Sequence, residues 1–546
     1  MGTHEIEGTG KHCQIDDPTS CGVKIGLPSR WIFSPNYRAS QAIRPYNCSP
    51  RCCLKSHDIA LFTFHARHVV QNNIANPRNQ TPIQTPHASD SIMTCKHQKI
   101  IFSPSSHASI AGYERPSVSQ RIADAIPSAS KSPAAALCAS AEALNRTFPA
   151  PLILPGDELS WDPECPPQSL RSWVRLKSRN AMTPARSTVY LVPPPGVEPG
   201  LDFINEWTQP RIKNPSTEKA VEFPDMEDVL GYLQAFYLGL PVKILPSPNP
   251  CFTADVEEDI EPAVEGLKAK GKKKTSKPKS PTLWLNTQKP SGCIGIRTRA
   301  TPKGSFPHQL NLNDLLDAAI EILPDDAYAL LMIVEHDIFE DEDDDFACGR
   351  AYGGSRIAVV SGARYNPILD QDQRVVRDHA WPASHCEQYV RSRCEEVEIE
   401  DGGRKKKAMI TKSKAVKAPL DIETLPMQAA VAAHASLPSL EQASNEYALS
   451  SLWLGRVCRT ASHELGHCFG IDHCVYYACA MQGTASIVED ARQPPFLCPI
   501  DLAKVLRATG ADENARYRAL LAFCEKRKEG HLFAAFTAWI QARIGK

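Results

Sequence analysis

Residues 461–481 read ASHELGHCFGIDHCVYYACAM, and His463, Glu464, His467, Gly470 and His473 within them stand in the register HExxHxxGxxH. On a helix, positions i and i+4 lie about 40° apart around the axis and about 6 Å apart along it, so both imidazoles can reach one ion. Glu464, one residue past the first imidazole, projects in an adjacent direction and can hydrogen-bond a water without ligating the ion. Gly470 supplies a residue free to adopt positive φ at a helix end, so the chain can turn sharply and bring in His473. Three nitrogens with one open position describe a catalytic zinc site, whereas a structural zinc is closed by four ligands. Zinc lowers the pKa of bound water from about 16 to about 7, which generates a nucleophile at neutral pH and polarises a carbonyl. Glu464 is then the expected general base, taking the proton and passing it to a leaving amine. A lone histidine is usually a core or surface residue, but five fixed residues in this register call for a common purpose.

The register HExxHxxGxxH followed by a downstream methionine resembles the metzincin metallopeptidases. The continuation is narrower: Cys474 directly after the third His, then Cys479, Met481 and Cys498-Pro499-Ile500. That order is similar to the archaemetzincin family, whose motif continues the third His with C-x4-C-x-M and a later CxxC. The resemblance is specific over about 463–501 and extends more loosely over 188–510. It implies a catalytic zinc on His463, His467 and His473, Glu464 as base, and Met481 as the turn methionine beneath the metal. It also implies a second, structural zinc on four cysteines, of which Cys474, Cys479 and Cys498 are present. The fourth position is Asp501. A carboxylate can ligate zinc, but Asp is also a favoured N-cap and could simply cap the helix that follows.

The implied activity is zinc-dependent hydrolysis of peptide bonds, on a peptide or protein substrate, and in an aminopeptidase-like mode on short peptides or amino ends. A catalytically silent, zinc-stabilised binding protein is the competing reading. Cys458, Cys468, Leu465 and Phe469 read as helix and core residues. Tyr476 and Tyr477 read as core or pocket lining, with oxyanion stabilisation as the more specific alternative. By analogy with metzincins, a peptide aligns along an edge strand, for which RIAVVSGARY (356–365) or the preceding AYGGS is the candidate.

The elements that must position these residues begin at 188. TVYLVPP predicts a strand, MEDVLGYLQAFYLG (226–239) an amphipathic helix and LPVKIL a second strand. CIGIRTR, ALLMIVEHDIF and RIAVVSGARY predict further strands, with LNDLLDAAIEIL a helix between them. This alternation predicts an α+β, metzincin-like domain over 188–510: a mixed twisted sheet, packed helices and a long zinc-binding helix. A helical stretch from Pro426 leads into that motif. LAKVLRATG and two C-terminal helices in 511–546 follow it, Asp512 being the expected N-cap of the first of these two.

Upstream, 1–93 is rich in Pro, Ser, Asn, His and Cys and reads as a disordered tail, and 94–187 as a Pro/Ser-rich arm with a short helix. Cys48, Cys52, Cys53 and His57 fit no familiar metal finger. Charged insertions are expected near 247–290 and 393–424, where the lysine-rich runs read as linkers rather than nucleic-acid patches. The acidic run 340–345 lacks EF-hand spacing and reads as an exposed loop.

The net charge of -1 across 546 residues leaves no global field to attract nucleic acid or an anionic membrane. No apolar run is long enough to span a bilayer, and the opening MGTHEIEGTG lacks a signal-peptide hydrophobic region. The expectation is an intracellular protein, cytoplasmic or nuclear, whose 19 cysteines stay reduced and serve metal binding where they cluster.

Overall fold

Ala327–Val334 is buried at every position, and from Ala329 onward its side chains alternate between two separate cores. Ala329, Leu331 and Ile333 join one; Leu330, Met332 and Val334 join the other. A continuous apolar run of this kind belongs to a strand covered on both faces. The computed structural model describes residues 62–65, 95, 97, 99–126, 144, 147–212, 221–254, 282–288, 292–400, 425–440 and 446–545, the backbone alone at 62–65 and 396–400. Cys48, Cys52, Cys53, His57 and both lysine-rich runs lie outside the described residues.

The sheet contains β1 (Phe62–His65), β2 (Thr188–Val192), β3 (Gly196–Val197), β4 (Val242–Ile244), β5 (Cys251–Thr253) and β6 (Thr282–Asn286). It continues with β7 (Cys293–Ala300), β8 (His308–Asn311), β9 (Ala327–Val334), β10 (Ile338–Phe339), β11 (Ala347–Tyr352) and β12 (Ile357–Ser361). Their spatial order is β3-β5-β6-β7-β8-β10-β11-β12-β9-β2-β4, with β1 antiparallel along β11. β12, β9, β2 and β4 run parallel, while β11 is antiparallel to both of its neighbours, β10 and β12. The sheet is therefore mixed, and with its helices the architecture is α+β.

Leu312–Ile322 covers one face, its Asn311 cap accepting from the Asp314 amide. The opposite face carries Met226–Phe236 and the helix Glu446–Cys468, which is 23 residues long. No proline interrupts that helix, and positive φ at Gly470 turns the chain just past its end. The C-terminal helices Glu513–Glu525 and His531–Ile544 share its core: Tyr517, Phe536 and Trp539 belong to the same cluster as Leu465 and Phe469. Asp512 caps the first of them, accepting from the Ala515 amide at 2.9 Å. Phe148, Leu170 and Trp173 tie the upstream arm into that core as well.

Three expectations change. The stretch 356–365 is not an edge: β12 lies between β9 and β11, because its five apolar or small residues are buried throughout and need a partner on each side. The region near 247–290, read as an insertion, contributes β5 and β6 to the sheet. The acidic run 340–345 is an exposed loop only at 341–343: Glu340 and Asp344 are buried, Arg299 donates to the carbonyls of Asp341 and Glu342, and Lys303 pairs with Asp345. Among the described residues, no helix is long and apolar enough to cross a membrane.

Candidate metal centres

His463 and His467 leave the last turns of Glu446–Cys468 on one face, with Nε2 atoms 3.0 Å apart. Each ring is held from behind, His463 Nδ1 lying 2.7 Å from the Ala480 carbonyl and His467 Nδ1 2.7 Å from that of Ile471. A carbonyl accepts only from N–H, so Nδ1 carries the proton on both rings and Nε2 presents its lone pair to the other imidazoles. Burial pushes both histidines well below the ordinary imidazole range, keeping them neutral, and the neighbouring imidazoles act in the same direction. Gly470, at φ +74°, ends the helix, and His473 comes round to ring-centroid distances of 5.3 Å from His463 and 5.0 Å from His467. One nitrogen from each ring lies within 4.8 Å of the other two.

The third imidazole is oriented from far away in the chain. Glu158 Oε1 lies 2.8 Å from His473 Nδ1. The turn beneath it is pinned by the same arm: Trp173 Nε1 donates to the Phe469 carbonyl at 2.9 Å, and Gln168 Nε2 to that of Gly470 at 3.0 Å. The sequence singles out neither Glu158 nor Gln168 and marks only a short helix within this Pro/Ser-rich arm.

Glu464 is buried beside these rings, and its Oε2 meets no hydrogen-bond partner among the described residues. Burial pushes its carboxyl up to about 8, opposed by His473 and Arg350. Gly349 of β11 sits so close that an added Cβ would stand 3.2 Å from Glu464 Oε1. Met481 lies under the helix against Gly466, its sulfur occupying the space a side chain there would need. Tyr476 instead donates its hydroxyl to Asp124 at 3.0 Å, and the Tyr477 ring packs against Phe148, Arg115 and Arg121, so the contacts of both lie with the arm.

Directly after His473 a second cluster forms. Cys474, Cys479, Cys498 and Asp501 are all buried, with one ligand atom from each within 4.8 Å of the others. Asp501 Oδ2 lies 3.3 Å from the sulfurs of both Cys479 and Cys498, and Cys474 Sγ 3.6 Å from Cys498 Sγ. Backbone amides of Cys498, Met481 and Asp501 point at these sulfurs. The N-cap of Pro499–Thr509 is Cys498, so Asp501 is not the cap; its carboxylate faces the thiols and Lys504, whose Nζ is 2.8 Å from Oδ1. Burial and the Cys474 thiol push the Asp501 carboxyl up to about 7 against the pull of Lys504. Lys504 also donates to Gln168 Oε1 at 2.8 Å, so one arm residue braces both clusters.

Both donor sets suit zinc: three oriented imidazoles in one, three sulfurs with a carboxylate in the other. The model of Peptidase family M54 matches residues 432–507, the stretch that carries both. Over this stretch the chain resembles the archaemetzincin family. Over 82 residues it is 42% identical to Archaemetzincin-2 of Macaca fascicularis, spanning 15% of this chain and 23% of that protein. Archaemetzincin-2 of Homo sapiens is 45% identical over 73 residues, 13% of this chain and 20% of that one. The aligned archaemetzincin segment is thus about a fifth of these relatives' length. Among solved structures, archaemetzincin from Methanopyrus kandleri is matched over 61% of this chain and all of that one at 17% identity, with a TM-score of 0.25.

Proposed function

We propose that this archaemetzincin-family chain is a zinc metallopeptidase in which His463, His467 and His473 hold the catalytic ion and Glu464 is the general base. The observation that carries the reading is the trio of imidazoles, each fixed at Nδ1 by an acceptor, beside a buried carboxylate with an unpartnered oxygen. Zinc bound there supplies Lewis acidity toward a substrate carbonyl and a water more easily deprotonated. The rest falls to the protein. Glu464 accepts the proton of the attacking water on its buried carboxylate and returns it to the departing amine, a role suited to a carboxyl whose surroundings raise its proton affinity. Glu158 holds the His473 ring, and the enclosing core excludes bulk water from the reacting groups.

Cys474, Cys479, Cys498 and Asp501 hold a second, structural zinc that fixes the loop immediately after His473. The substrate is a peptide or protein, and the pairing of β1 along β11 favours short peptides or amino ends, since the strand edge beside Glu464 is already occupied. The test is cleavage of a peptide library by zinc-loaded protein and by Glu464→Gln. The parent should hydrolyse peptides, and the variant should keep its zinc while losing most turnover. A fully zinc-loaded parent inert toward the library would favour a silent binding protein instead.

A further inference from the structure

A third group of metal-competent side chains lies outside both clusters. Cys95 and His97 precede the isolated bridge Ile100–Cys386, and His379 ends the short turn Arg377–His379. One ligand atom from each lies within 4.8 Å of the others. The rings of His97 and His379 meet edge-on with centroids 5.1 Å apart, and His434, on the helix Pro426–Ala435, stands 6.3 Å from His97. His531 follows at 5.0 Å from His434. Four imidazoles therefore run in a chain between the upstream arm and the C-terminal helix.

Their hydrogen bonding is incomplete. Both ring nitrogens of His379 are buried without a partner among the described residues, as is His434 Nε2. His531 uses Nε2 on the Pro438 carbonyl at 2.8 Å, and its Nδ1 has none. Each neutral imidazole carries one N–H and one lone pair, so one nitrogen of each of these rings can offer its lone pair to a metal ion. Burial lowers all four histidines, holding the rings in the neutral form that ligates metal. His97 also takes φ +48°, a costly conformation for a side chain that merely fills space.

We propose that Cys95, His97 and His379 form a third metal site, with His434 beside them as a candidate for the fourth position. One sulfur with two or three imidazoles is a zinc-type donor set rather than one for calcium or magnesium, which take oxygen. Cys95, His97 and His379 are only half-buried, so an ion can enter from solvent. The ion would fasten the arm at 95–97 to the turn at 377–379. This inference does not depend on the peptidase reading, because it shares no residue with that site.

The test uses the full chain, zinc-loaded and dialysed. Bound zinc is counted by mass spectrometry in the parent, in Cys95→Ser, in His379→Phe, which keeps the ring stacked on Tyr389, and in the double variant. Each single variant should lose one equivalent, and the double no more than that. Peptide hydrolysis, where the parent has it, should persist. A second readout needs no substitution: zinc should slow alkylation of Cys95 in the parent about tenfold or more, since a ligating thiolate is withdrawn from reaction. Unchanged zinc content in both single variants, or an alkylation rate at Cys95 indifferent to zinc, would overturn the proposal.

Discussion

Glu158 and His473 stand 315 positions apart in sequence and 2.8 Å apart in space. Groups that orient metal-binding imidazoles are commonly worth 10- to 100-fold in affinity, so Glu158→Ala should weaken the catalytic zinc by about that factor. Gly483→Ala should act in the same direction without touching either residue, because an added Cβ would collide with the Glu158 carboxylate. Chelator competition measures both; wild-type affinity in the two variants would remove Glu158 from the site.

Asp501 can be tested by exchange in two directions. Asp501→Ala should lower total zinc by one equivalent per chain, and Asp501→Cys should retain it, since the thiolate restores a four-sulfur set at the same backbone position. Loss of a cap alone costs about 1 kcal/mol and no metal, so metal analysis separates the accounts. Equal zinc in the parent and Asp501→Ala would exclude the ligand role.

His336 gives the fold an acid limit. It is fully buried against Phe252, 3.2 Å from the Ile204 carbonyl, and burial lowers it to about 4, opposed by that hydrogen bond. The unfolded chain protonates this residue near pH 6.5, before the folded one does. Its stabilising contribution is therefore complete above about pH 6.5 and is lost as pH falls toward about 4, by roughly 3 kcal/mol in all. Urea unfolding at pH 7.5, 5.5 and 4.5 should show a steeper decline in the parent than in His336→Phe. Parallel declines would show that this histidine does not set the limit.

Truncation should separate the tail from the arm. A chain beginning at residue 94 should keep its fold and zinc, losing among the described residues only the strand Phe62–His65. One beginning at 188 should be insoluble or poor in zinc, because it lacks Phe148, Glu158, Gln168 and Trp173. Circular dichroism with metal analysis decides both cases.

The long helix with its two histidines, and the third just past Gly470, were legible in sequence because ligand spacing and helical period are local properties. The β9 and β12 strands were legible too, as apolar runs. β11 was not: its sequence, ACGRAY, carries Gly349 and Arg350 directly after an acidic run, so no alternation marks it. Glu158 was hidden for another reason. Its neighbourhood is proline-rich and aperiodic, and its meaning lies wholly in a partner far along the chain. Asp501 shows a third kind of limit, since one carboxylate at a helix start reads equally as cap or ligand until the position of Cys498 removes the cap.

The dependence of the His473 turn on the upstream arm also orders events during synthesis. Glu158, Gln168 and Trp173 leave the ribosome about 300 residues before the turn they will hold, too early to find any partner. The helix Glu446–Cys468 can coil by itself once made, but the surroundings of His473 wait on closure of the largest loop in the site, the slowest kind of contact to form. A nascent chain interrupted before Cys498 would carry the three imidazoles and the arm that orients them, yet lack Cys498, Asp501 and Lys504 of the neighbouring cluster.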